Sequence, residues 1–166
     1  MAIVDGLLQE LDQETQTTRR VLERVPNDKL DWRPAAKART LGQLALHIAQ
    51  VPGAVASFVA APSPQQAPQF VDPSPQSAAE LLPALEESVA KARQLLAGLD
   101  DAALTAPWTM MSGNRELFTI PRVAMLRSIM LNHWYHHRGQ LTVYLRLLGV
   151  ALPSVYGPTA DENPFA

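Results

Sequence analysis

Fourteen prolines punctuate this 166-residue chain, and between them the apolar residues recur at three- and four-residue spacing. Proline lacks a backbone N–H and clashes with the preceding turn, so it bends or ends helices. A three- and four-residue apolar period marks one buried face of a helix. Helical stretches separated by proline breaks therefore constrain the chain to a mostly helical packing. The first stretch, residues 3–24, places Ile3, Leu7, Leu8, Leu11, Thr15, Thr18, Val21 and Leu22 at this spacing and stops at "RVPND". "KLDWRPAAKAR" reads as an ordered loop, because Pro34 keeps Arg33 out of the helical region.

A second helix opens at "TLGQ", where Thr40 and Gln43 have the spacing of a capping box. It continues through Leu44, His47, Ile48 and Val51, and Pro52 is expected to kink or interrupt it. Residues 61–76 hold five prolines and read as an extended connection. "SAAE", with Ser77 and Glu80, caps a third helix that reaches about Leu96, with a bend expected at Pro83. A long connection from Gly98 to Pro121 has room for a short hairpin around Ser112, Gly113 and Asn114. The fourth helix is expected to start near Thr119, with Pro121 in its first turn, and to stop at Gly149. The fold class expected is all-α: a four-helix bundle with long crossover connections, in a single domain over residues 1–166.

Composition narrows the chemistry. The chain has no cysteine, so disulfides, thiolate ligands and a cysteine nucleophile are excluded and any metal must rest on His, Asp or Glu. A net charge of −2 with scattered Lys and Arg gives no footprint for nucleic acid. No uninterrupted apolar run reaches bilayer-spanning length, and the N-terminus lacks the pattern of a signal peptide. The expectation is a cytoplasmic protein without nucleic-acid or membrane partners.

Three of the four histidines lie within five positions, in "NHWYHHRGQ". At about 100° per residue, His137 falls roughly 40° from His133 and one turn on, so the two share a face. Leu126, Ile129, Met130, Gln140, Tyr144, Leu147 and Leu148 fall within roughly 60° of His133, which puts the pair in an apolar stripe. His136 falls on the flank, and Tyr135 and Arg138 point away. His47 lies at the edge of its own apolar stripe. A single histidine on such a face is usually a core residue bonded to a carbonyl. Two imidazoles one turn apart must each satisfy two ring nitrogens, at about 1–3 kcal/mol for every buried group left unpaired. A divalent metal satisfies both. Trp134, Tyr135 and His136 intervene where zincin proteases carry a glutamate, so peptide hydrolysis by that route is not indicated. The economical site is mononuclear, with His47, His133 and His137 as neutral ligands and an open position of the kind found in catalytic sites. Gln140 and Tyr144, on the same stripe, are candidates for supporting the ligands or orienting a substrate. Trp32 and Trp134 read as packing residues, and Arg33 and Arg138 as solvated or structural charges.

"NHWYHHRGQLTVYLRLLGV", "ARTLGQLALHIA", "KLDWRP" and "PSVYGPTADE" together resemble the DinB/YfiT-like family of bacterial metal-binding helical proteins, over nearly the whole chain. The DNA polymerase that shares the DinB name is unrelated. The resemblance implies a dimeric bundle in which His47, His133 and His137 bind one divalent ion per chain, zinc or nickel before iron or manganese, with His136 outside the ligand set. Some members of that family are thiol-dependent S-transferases acting with a low-molecular-weight thiol and some isomerise thiol-bound adducts, so the expected activity is that of a metal-dependent thiol S-transferase or hydrolase with such a thiol as possible co-substrate. A metal-dependent binding or stress-response protein without turnover is the alternative, since both need the same ligands.

Overall fold

A computed structural model describes residues 2–69 and 71–166; Met1 and Phe70, the latter in the proline-rich connection, lie outside the described residues. Helix α1 spans Ile3–Leu22, α2 Leu41–Ala60 and α3 Leu81–Ala97. A short α4 at Asp101–Thr105 follows. The last helical run comprises α5 at Arg122–Met125, a π-helical stretch at Leu126–Asn132 and α6 at His133–Leu147. The long helices close a ring: α2 packs on α3 and α6, and α1 packs on the opposite sides of the same two. Leu11, Leu41, Leu44, Ile48, Leu85 and Trp134 are among the fully enclosed side chains between them.

Helix α2 shows how the sequence pattern becomes structure. Its capping box forms as expected: Gln43 N–H donates to Thr40 Oγ1 at 3.2 Å, and Thr40 N–H donates to Gln43 Oε1 at 2.9 Å. Pro52, expected to kink or interrupt this helix, leaves it unbroken from Leu41 to Ala60. A proline at this position cannot donate to the Ile48 carbonyl four residues back. Trp134 replaces the lost donor, its indole Nε1–H reaching Ile48 O at 2.8 Å. One residue on, Gly53 N–H donates to Ser88 Oγ at 2.8 Å, and that hydroxyl donates to Gln50 O at 3.0 Å. The proline defect is therefore bonded to α3 and α6, and it ties the core together instead of breaking it. By length and composition α2 could span a bilayer, but its apolar positions Leu41, Leu44, Ala45, Ile48 and Val59 are buried inside the fold.

Pro83 likewise leaves its helix uninterrupted. A 3-10 turn at Ala78–Glu80 precedes α3, and Pro83 becomes the third residue of the helix, where no intrahelical N–H bond is needed.

The all-α expectation holds only in part: the fold is mostly helical, but it includes a small three-stranded sheet. Strands β2 (Pro107–Ser112) and β3 (Arg115–Pro121) pair antiparallel, and β1 (Gln65–Gln66) joins β2 in parallel, in the order β1-β2-β3. The hairpin turns where Ser112, Gly113 and Asn114 suggested, with Gly113 at φ +58°. Trp108 and Met110 face Ile120 and Phe118 across the ladder, and this alternating apolar face packs on the helical core, where Trp108 meets the Phe58 ring at 5.1 Å. The expected fourth-helix start near Thr119 is corrected with it: Thr119 and Pro121 belong to β3, and the helix begins at Arg122. Its end agrees with expectation. Gly149 sits at φ +73°, and Val150 N–H bonds back to Leu145 O at 3.0 Å, a Schellman-type stop.

Candidate metal centre

Two elements bring the histidines together. His47 comes from the middle of α2, and His133 and His137 come from the first two turns of α6, which the π-helical stretch delivers at His133. Stretches of π-helix recur at functional sites because they shift the phase of one helical face against the next. The nitrogens His47, His133 and His137 can offer lie within 4.8 Å of one another. His47 Nε2 and His133 Nε2 are 3.2 Å apart, and the ring centroids are separated by 5.4, 4.6 and 4.3 Å. Two nitrogens bound to one tetrahedral zinc at about 2.1 Å would stand roughly 3.4 Å apart, so the spacing fits a shared ion. His137 Nδ1 lies 2.7 Å from Gln140 Oε1. An amide oxygen can only accept, so this bond fixes the proton on Nδ1 and leaves Nε2 with its lone pair free. The donor set therefore fits a divalent metal.

Burial keeps the imidazoles neutral. Desolvation is the largest cause for all three, aided by the charge of Arg39. His47 and His133 are pushed down from 6.5 to about 4, and His137 is lowered as well. Neutral imidazole is the form that binds metal.

The helical-wheel reading needs three corrections. The buried stripe of α6 runs through Trp134, His137, Arg138, Leu141 and Leu145, so His133 stands at its edge and not at its centre. Ile129 and Leu147, placed in the stripe by counting 100° steps, are 40% and 62% exposed. The π-helical residues 126–132 turn by less per residue than an α-helix, which breaks that count on the N-terminal side. Arg138, expected to point away, is 1% exposed. It pairs with the buried Glu14 at 2.6 Å, donates to Thr18 Oγ1 at 3.1 Å, and bonds Tyr156 of the C-terminal segment, so it is a structural charge. Trp32 and Trp134 pack as expected, Trp32 edge-on to Tyr144 with centroids 5.7 Å apart. His136 is exposed and outside the histidine group.

A cleft of about 440 Å³ reaches the histidine group at His137, and Lys37, Arg39, Asp72, Gln140 and Tyr144 line it with Ala38 and Leu44 as apolar wall. Gln140 thus touches both a histidine and the cleft. Tyr144 stands on the cleft wall, and its hydroxyl donates a long 3.4 Å hydrogen bond to Arg39 O. Sequence reasoning missed Arg39 and Asp72. Nothing in their spacing relates them to the histidines; Arg39 precedes the α2 cap and Asp72 lies in the proline-rich connection, and only folding makes them neighbours.

Comparison with known proteins agrees with this architecture. A sequence profile described as the DinB family matches residues 2–163. The chain belongs to the DinB family. It is 26% identical over 163 residues to an uncharacterised Bacillus subtilis protein, YrdA, covering 96% of this chain and 91% of that one. A DinB-like protein from Bacillus cereus superposes with a TM-score of 0.73 at 27% identity, covering 93% of this chain and 98% of the other. A DinB-like protein from B. subtilis superposes at 0.66 with 19% identity over 90% and 96% of the two chains, a likeness of fold alone.

Proposed function

We propose that this DinB-family protein holds one divalent metal ion on His47, His133 and His137 and acts as a thiol-dependent S-transferase or a hydrolase on a small molecule admitted through the adjacent cleft. The carrying observation is the grouping of three imidazole nitrogens within 4.8 Å at a cleft, with no fourth His or carboxylate in the group among the described residues. Three protein ligands leave a position for an exchangeable one, the arrangement of catalytic and not structural sites. Imidazole nitrogens suit zinc and nickel, and iron as well, whereas manganese favours oxygen donors. When bound, such an ion lowers the pKa of a coordinated thiol or water toward neutrality. The chain has no cysteine, so the thiol is a low-molecular-weight co-substrate.

The chain's own residues do the rest. Gln140 holds the His137 ring by its Nδ1–H, and losing such an outer contact typically costs about 10–100-fold in affinity or activity. Leu44 and Ala38 give the ligand an apolar wall, and Tyr144 can donate its hydroxyl into the cleft, since its present contact is long. The alternative is a metal-dependent binding or stress-response protein without turnover; a cleft that reaches the group at His137 supports the enzyme reading over it. A homodimer is part of the same proposal, tested by light scattering at micromolar concentration, where a species of only 18.2 kDa would contradict it. The activity test is a screen of small thiols against electrophiles and of activated esters with metal-loaded protein. Turnover that His133→Ala abolishes supports the reading. Equal rates in both proteins reject it.

A further inference from the structure

The cleft beside the histidines carries an arginine held in place with its working end unengaged. The Nε–H of Arg39 donates to Asp72 Oδ1 at 2.8 Å, and the side chain is 27% exposed. Asp72 is itself tethered, because Gln43 Nε2 donates to its carbonyl at 3.1 Å. The Arg39 backbone adjoins the capping box at Thr40, so both ends of the side chain are fixed. Among the described residues the two terminal NH₂ groups of Arg39 have no hydrogen-bond partner. A guanidinium presents these groups as a planar fork that matches a carboxylate. Fixing the fork in advance removes the entropy cost of ordering a long side chain on binding.

Charge points the same way. Lys37 and Arg39 line the cleft against a single carboxylate, Asp72. The three imidazoles add no negative charge, so a divalent ion among them would bring the local total to three positive charges. A walled cleft of one sign concentrates the opposite ion. With Arg39 paired to Asp72, Lys37 leaves the cleft one net positive charge before any metal ion is counted, and that balance favours an anionic ligand.

We propose that Arg39, positioned by Asp72, anchors the carboxylate of a small ligand whose other end reaches the three histidines. Lys37 adds attraction at the mouth without fixing orientation. The assignment rests on the metal-centre reading for the ligand's second end, whereas the anchor itself uses only Arg39, Asp72 and Lys37. Asp72 is a positioning residue: it holds Arg39 by Nε and leaves the two terminal nitrogens for the ligand.

The test uses the full chain loaded with Co²⁺ and titrated with 3-mercaptopropionate and its neutral amide, thiolate binding being read from the visible spectrum. The acid should bind about tenfold more tightly than the amide, the scale of one partly exposed charged hydrogen-bonded pair. Arg39→Gln should abolish that preference while metal content and amide affinity stay unchanged, and Asp72→Asn should reduce it in part. Arg39→Lys keeps the charge but not the fork; it should retain a fraction of the preference, and it carries the test should Arg39→Gln not fold. No preference in the unaltered protein, or equal losses for acid and amide in Arg39→Gln, overturns the proposal. If neither thiol changes the spectrum, the thiol chemistry of the proposed function fails. Thermal melts with succinate and succinamide then decide the anchor separately: succinate should raise the melting temperature of the unaltered protein but not of Arg39→Gln, and equal effects of the two additives overturn it.

Discussion

Replacing Trp134 by phenylalanine should cost this protein more than the lost ring volume suggests, because the indole N–H substitutes for a backbone donor that Pro52 lacks. In the folded protein that N–H bonds Ile48 O at 2.8 Å inside the core, with Trp134 fully buried. The substitution would leave the carbonyl unpaired, at about 1–3 kcal/mol. The smaller ring adds a cavity cost of roughly 1 kcal/mol. The total, about 2–4 kcal/mol, corresponds to a fall in melting temperature of roughly 4–16 °C for a chain of this size. Pro52→Ala restores an N–H at the position from which a helix normally bonds Ile48 O. In that background Trp134→Phe should cost only the cavity, so the double-mutant cycle should show a coupling of about 1–3 kcal/mol. Urea unfolding of the four metal-free proteins at neutral pH measures it. Additive losses, within about 0.5 kcal/mol, would refute the view that the indole and the proline form one unit.

Glu14→Gln should be severely destabilising, by about 3–5 kcal/mol, because it strands the buried Arg138 guanidinium without its counter-charge; chemical denaturation measures this. The metal-free protein should lose stability as pH falls from about 6.5 to about 4. His47 and His133 are held down to about 4 in the fold against 6.5 unfolded, so in that window the unfolded chain binds more protons; a flat urea midpoint across it would contradict the burial argument. Chelation should lower the melting temperature by several degrees, in line with a linkage of about 2.7 kcal/mol at a hundredfold excess of metal over its dissociation constant, while far-UV circular dichroism at room temperature stays unchanged. Outright unfolding on chelation would make the site structural.

The parts of the fold that were legible in the sequence are those governed by local rules. Thr40 with Gln43, Ser77 with Glu80 and Gly149 marked helix ends because capping depends on residues three apart or on one backbone angle. The pairing of His133 with His137 could be read from burial logic, since two imidazoles a turn apart on an apolar face need a partner, whereas His47 joined them only through the economy of a mononuclear site and the family resemblance. What was missed depends on long-range partners. Pro52 and Arg138 each break a local rule, and each is compensated by a residue more than 80 positions away, Trp134 and Glu14 respectively. Strands β2 and β3 carry their two-residue alternation over too few residues to stand out from a helical background. The π-helical stretch leaves no mark in composition, so helical phase across residues 126–132 could not be counted.

Metal content of the purified chain and its histidine variants tests the central claim most directly. Elemental analysis of the unaltered protein should give close to one divalent ion per chain, and His47→Ala, His133→Ala and His137→Ala should each remove most of it. His136→Ala should keep full occupancy, because that ring is exposed and outside the group. Occupancy that survives loss of His47, or that falls equally with His136, would contradict a mononuclear site built on these three histidines.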